Sequence, residues 1–186
     1  ILTHHLPVPP DPTAKLIAQA DRMSAGEREE FEGEQPRPWE AQLLSIFSRL
    51  GLAEGPYTHD GYYPLAPLEL RRDRIFPDSS RWTSEACRKG YQDLWNGFEA
   101  DFARLDSENY NRYLERVYHL LQRYCWCVPS AVYHQTPDVS LFDHSRLTCA
   151  IATCLYLDRL DDSSLDGLLA WPPRGSDPSQ PHFLLV

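Results

Sequence analysis

Ser140-Leu141-Phe142-Asp143-His144-Ser145-Arg146-Leu147-Thr148-Cys149-Ala150-Ile151-Ala152-Thr153-Cys154-Leu155 reads as one long amphipathic helix. Leu147, Ile151, Cys154 and Leu155 recur at steps of three and four, the period of a helix rather than a strand. Ser140 stands three residues before Asp143, the spacing of a capping box with Asp in place of the commoner Glu. Together these predict a helix from Ser140 to about Leu160. His144 precedes Leu147 by three residues and Ile151 by seven, so it shares their face. A buried imidazole needs a partner. It is either a hydrogen-bonded core histidine or a metal ligand projecting into a bundle centre, and spacing leaves both open.

The same period recurs outward from this helix. Asp11-Pro12 supplies an N-cap and a proline at the first helical position, followed by Leu16, Ile17, Ala20 and Ser24 on one face. A second helix is predicted from Trp39 to Leu50, with Leu43, Leu44, Ile46, Phe47 and Leu50 apolar and Gly51 as its stop. A third is predicted from Ser80 to Leu105 and a fourth from Asn109 to Val128. Glycines and prolines between Leu52 and Ser80 read as one long loop with a short hairpin. The acidic run from Glu27 to Glu34 reads as a solvated end. There is no internal repeat and no heptad run. The expected fold is all-α, a helical bundle with one long loop region.

Of the 186 residues, 42% are hydrophobic and 24% charged, the balance of a soluble globular domain. No apolar run approaches the ~20 residues that span a bilayer. Residues Ile1 to Pro10 lack the basic start and apolar stretch of a signal peptide, so a cytoplasmic location is expected. The net charge of −9 argues against a freestanding nucleic-acid binder. Any such contact must be local, metal-assisted or shared with a partner subunit. The five cysteines lack CxxC spacing, and Cys149 and Cys154, within the apolar pattern of the last helix, read as small core residues of a reducing compartment. The apolar stub Phe183–Val186 follows a Pro-rich stretch, the pattern of a linker before the first strand of another domain. The chain is therefore expected to be a fragment of something larger.

Four groups of residues invite a chemical reading. His4 and His5 are neighbours; on a helix they point about 100° apart, so one would bind a metal while the other touches phosphate, unless both are exposed near a frayed end. Asp21 borders the apolar face of the first helix and must be paired, hydrogen-bonded or metal-bound, with Arg22 or Lys15 as ordinary partners. His59-Asp60 sits in a loop pattern with no helical face, and Cys125-Trp126-Cys127 has the wrong spacing for zinc. His119 and His134 have no acidic or histidine neighbour at ligand spacing.

Several stretches occur in the order of one known family. These are His4-His5, Ala20-Asp21-Arg22-Met23-Ser24-Ala25-Gly26-Glu27-Arg28-Glu29, Val128-Pro129-Ser130-Ala131, Pro137 to His144 continuing to Ala150-Ile151-Ala152, and Phe183 to Val186. They resemble the N-terminal HD-type nuclease domain of the large subunit of type III-A CRISPR effector complexes. The resemblance implies a circularly permuted HD fold over residues 1–171, a linker at 172–182 and the start of a palm domain at 183–186. It implies that His144 takes the place of the first histidine of an ordinary HD protein, that His4 and His5 match the central histidine pair, and that Asp21 matches the closing aspartate. The family's His-Asp dipeptide would lie upstream of Ile1, so the N-terminal part of the domain is expected to be missing.

The function so implied is that of a metal-dependent, single-stranded DNA nuclease of the HD superfamily in an antiviral complex. His4 and His5 would be catalytic, and His4, His5, Asp21 and His144 would hold metal. Two divalent ions are expected in the intact domain, of manganese, nickel or cobalt. Partners would be single-stranded DNA and other subunits carrying guide RNA, with no membrane, and the parent's palm domains would make cyclic oligoadenylates. The alternatives are a structural docking module of the same complex with an incomplete site, and an unrelated HD-type nucleotide phosphohydrolase.

Overall fold

The structure, a computed structural model, describes residues 12–24, 37–49, 61–77, 81–130 and 137–158. Five α-helices are described: α1 (Pro12–Ser24), α2 (Arg72–Ile75), α3 (Ser84–Phe102), α4 (Tyr110–Cys125) and α5 (Leu141–Asp158). Among the described residues there is no strand beyond isolated bridges. The described residues are all-α, consistent with a bundle of the HD type. The chain divides into two compact units, residues 29–143 and residues 1–28 with 144–186.

In the unit of residues 29–143, α3 packs on α4. Both helices begin at side-chain caps. Thr83 Oγ1 accepts from the Ala86 amide at 3.3 Å, and Asn109 Oδ1 accepts from the Arg112 amide at 3.0 Å. Cys87, Leu94, Leu120, Tyr124, Cys127 and Leu65 form the core, flanked by Tyr63, Trp82, Tyr91, Phe98 and Trp126. The Tyr124 hydroxyl donates to Asp101 Oδ2 at 2.7 Å, so its polar end is satisfied where its ring is buried. Gly90 lies where α3 meets Leu65 and Trp82. A Cβ there would stand 2.8 Å from Leu65 Cβ and 3.1 Å from Trp82 Cζ3. Gly90→Ala gains about 1 kcal/mol of helix propensity but overpacks the core at a cost of ~1–3 kcal/mol. The expected net result is a lower urea midpoint with an unchanged m-value.

The second predicted helix is corrected by the structure. Trp39 to Arg49, the described part of it, is not an α-helix: 3-10 turns at Pro38–Glu40 and Ile46–Arg49 flank an extended segment. Ala41, Gln42, Leu43, Leu44 and Ser45 are all buried, five positions in a row. A surface helix buries one stripe, not a continuous run, so an extended buried segment wins. Its backbone bonds go outward: the Ser45 amide to the Gly61 carbonyl at 2.8 Å, the Tyr63 amide to Leu43 at 2.9 Å and the Leu44 amide to Pro137 at 2.7 Å. Leu44 and Tyr62 pair as an antiparallel bridge, so the expected loop supplies the segment's partner. That loop also holds α2. Gln42 ties the segment to the residues just before α3 and to its bridge partner: its Oε1 accepts from the Trp82 amide at 2.6 Å and its Nε2 donates to the Tyr63 carbonyl at 3.2 Å.

Ser140 and Asp143 form the predicted cap. The Asp143 amide donates to Ser140 Oγ at 3.0 Å, and the Ser140 hydroxyl donates to Asp143 Oδ2 at 2.7 Å. The acidic side chain thus returns to the hydroxyl rather than to the backbone amide of the usual box.

In the unit of residues 1–28 and 144–186, the described parts are α1 and α5 from His144 onward. They meet through Ala20, Ile151 and Leu155, with Leu16 and Ala152 alongside. Ala20 has only a methyl group and is fully buried in this contact. Two readings of α5 are corrected: Leu147 and Cys149 are exposed. The packed stripe is His144, Thr148, Ile151 and Leu155, one step round from Leu147.

Candidate metal centre

The stripe that packs α5 on α1 ends in polar residues on both helices. On α1, Asp21 follows the buried Ala20 and Ser24 lies one turn further on. On α5, His144 and Thr148 are one turn apart. Each pair occupies one helix face, and the faces meet. His144 Nε2 lies 2.9 Å from Asp21 Oδ1, though the residues are 123 positions apart in sequence. The imidazole is 11% exposed and the carboxylate 26%. The Ser24 hydroxyl donates to the Asp21 carbonyl at 2.8 Å, stands 2.9 Å from Thr148 Oγ1 and lies 3.3 Å from His144 Nδ1. Both nitrogens of the ring are therefore engaged, one by a carboxylate and one by a hydroxyl.

Of the four sequence-derived site residues, the structure brings Asp21 and His144 together. His4 and His5 lie outside the described residues, as do His59-Asp60, His134 and Phe183–Val186. Asp21 meets His144, where the sequence offered Arg22 or Lys15. Among the described residues no group of three or more His, Cys, Asp or Glu side chains gathers. Ser24 and Thr148 were not picked out by sequence reasoning. The available signal was helical spacing, since each stands three or four residues from a candidate ligand on the same face.

The 2.9 Å hydrogen bond between Nε2 and Oδ1 sets two possible metal donors side by side. Imidazole nitrogen with carboxylate oxygen is a donor set for first-row transition metals. The Nδ1 contact to Ser24 is of the kind that holds the ring of metal-binding histidines.

The other candidates among the described residues do not gather at a site. Cys127 is buried in the α3–α4 core, where burial pushes its thiol up to about 12. Burial also raises Cys125. Such thiols are poor sources of the thiolate that binds metal or attacks substrate. Trp126 between them donates its Nε1–H to the Ala66 carbonyl at 2.9 Å, a packing role. His119 is exposed and sets its ring against Tyr118 at 5.6 Å. No described helix is long and apolar enough to cross a membrane.

Over 169 residues the chain is 35% identical to the CRISPR system single-strand-specific deoxyribonuclease Cas10/Csm1 (subtype III-A) of Methanocaldococcus jannaschii, a match that takes in 82% of this chain and 20% of that protein. A protein of the same name from Thermococcus onnurineus is 30% identical over 141 residues, covering 75% of this chain and 15% of its own length. The chain thus spans about a fifth or less of the curated relatives it matches. No family model and no solved structure matches it. Two homologues of one name, matched over most of this chain, make it a homologue of a segment of the Cas10/Csm1 subunit of subtype III-A CRISPR systems.

Proposed function

We propose that the chain is the HD-type nuclease part of a type III-A CRISPR effector subunit and that it cuts single-stranded DNA with the help of divalent transition metal. The observation that carries this reading is the meeting of Asp21 and His144 across two helices at 2.9 Å, in a chain whose relatives are named single-strand-specific deoxyribonucleases. Asp21 and His144 would hold the ion, with His4 or His5 completing the ligands and the other histidine on the scissile phosphate. When bound, manganese, nickel or cobalt supplies a water of lowered pKa and offsets phosphate charge. Two ions belong to the intact domain in this reading.

The chain's own residues prepare that chemistry. Asp21 contributes a negative charge that a cation neutralises, and its half-buried position favours a bound counter-charge over an unpaired one. His144 presents Nε2 while Nδ1 is tied to Ser24. The net charge of −9 disfavours long-range attraction of DNA, so substrate would be held by metal and by neighbouring subunits carrying guide RNA. The parent's palm domains would make cyclic oligoadenylates, and the complex would work in the cytoplasm.

The test is a metal titration of the full-length protein with labelled single-stranded DNA and with free nucleotides. Cleavage of the DNA that appears with manganese, nickel or cobalt and stops on chelation is the expected result. Cleavage that survives exhaustive chelation sinks the metal mechanism. Hydrolysis of nucleotides alone assigns the site to nucleotide phosphohydrolysis, and metal binding with no hydrolysis of either makes the chain a docking module.

A further inference from the structure

The Ser24 hydroxyl has three polar neighbours within 3.3 Å: the Asp21 carbonyl, Thr148 Oγ1 and His144 Nδ1. A hydroxyl has one hydrogen to give and two lone pairs to receive. The Asp21 carbonyl accepts only, and at 2.8 Å it is the shortest of the three contacts, so the Ser24 hydrogen goes there. The other two neighbours must then bring their own hydrogens. Thr148 donates its hydroxyl, and His144 donates from Nδ1.

We infer that Ser24, backed by Thr148, is a positioning residue that fixes the tautomer of His144 and aims its Nε2 at Asp21. At 2.9 Å Nε2 and Asp21 Oδ1 share a hydrogen; a cation taken between them would displace it, and with Nδ1 holding its own hydrogen toward Ser24, Nε2 would be the nitrogen that presents its lone pair to the ion. This inference rests on the reading of Asp21 and His144 as metal-holding residues. A serine in the last turn of a helix also back-bonds to a carbonyl three residues earlier without any further purpose. What Ser24 adds is that its two lone pairs meet side chains from α5, one of them the ring of the candidate ligand.

The two roles separate in the full chain, with zinc as a diamagnetic probe. Histidine-selective 15N spectra report which ring nitrogen is metallated, with His144 assigned by the loss of its signals in His144→Ala, and calorimetry reports affinity. The wild type is expected to show metallated Nε2 and protonated Nδ1. Ser24→Ala should weaken zinc binding about 10- to 100-fold, the usual effect of removing an outer hydrogen bond from a ligand, and should mix the two ring nitrogens. Ser24→Thr keeps the hydroxyl and should restore both readouts. Thr148→Val removes the hydroxyl on the far side of Ser24 and should move affinity the same way, more weakly; it decides the question if Ser24→Ala does not fold. Unchanged affinity and unchanged nitrogen shifts in both variants overturn the inference while the metal site stands. Wild-type zinc affinity in His144→Ala and Asp21→Asn overturns the metal reading itself, and the inference with it.

Discussion

His144→Ala in the full-length protein is expected to abolish cleavage of single-stranded DNA and to weaken manganese binding by on the order of a hundredfold or more, beyond the 10- to 100-fold typical of an outer-shell loss. The residue sits at the start of the α5 stripe, with Nε2 2.9 Å from Asp21 and Nδ1 3.3 Å from Ser24. A histidine in that place serves either the fold or a ligand, and the substitution damages different things in each case. Loss of a purely structural partner costs about 1–3 kcal/mol and lowers activity only as the protein unfolds. A ligand loss does more: it removes the stabilisation that bound metal gives the wild type, about 2.7 kcal/mol at a hundredfold excess over Kd. The discriminating measurement is thermal unfolding with and without manganese, alongside cleavage of a labelled strand. The wild type should gain stability from the metal and His144→Ala should not. A destabilised His144→Ala protein that still gains stability from manganese and still cuts DNA returns His144 to the core.

Leu155→Ala should be the most damaging single truncation in the α1–α5 pair, at ~2–5 kcal/mol. Leu155 is 1% exposed and packs with Ala20 and Ile151. Truncation to Ala leaves a cavity against Ala20, which has no side chain beyond Cβ with which to fill it. A loss of that size is a large part of the ~5–15 kcal/mol that holds a typical domain. It reaches the candidate site as well, because Ala20 precedes Asp21 on α1 and the same contact keeps Asp21 beside His144. Leu157, two residues on, is 59% exposed and provides the control. Leu157→Ala should cost less than about 0.5 kcal/mol. Equal urea midpoints for the two variants would mean that α1 and α5 are not packed through Leu155.

Helix existence was legible because apolar residues at steps of three and four leave one broad answer over long segments. α3, α4 and α5 occupy stretches predicted for them, their ends drawn in by a few residues at Thr83 and Asn109, where side chains cap the first turn. The Ser140–Asp143 cap was legible for the same local reason. Trp39 to Leu50 was not. Leu43, Leu44, Ile46 and Phe47 suit a helical stripe, and nothing local records that the amides of Leu44 and Ser45 find better partners in Pro137 and Gly61. Burial of five consecutive residues is a decision taken by the surrounding chain. Leu147 illustrates a smaller version: periodicity locates a face only to within a residue, and packing against Ala20 chose His144, Thr148, Ile151 and Leu155.

At the site, the sequence by itself determined which residues were eligible. It placed Asp21 at the edge of one apolar face and His144 on another, because helical position follows from spacing alone. Resemblance to a known family joined them in one function. Only the tertiary structure decided that they meet, since 123 residues separate them and no local rule acts over that distance. It also decided that Asp21 turns to His144, where Lys15 or Arg22 would have served a surface carboxylate, and that Ser24 and Thr148 close the gap between the helices. The physical reason is that Ala20 packs with Ile151 and Leu155, which sets the faces of α1 and α5 that meet, and the short polar side chains bordering that contact come within hydrogen-bond reach. Which small side chain faces which helix depends on the packing of the whole unit.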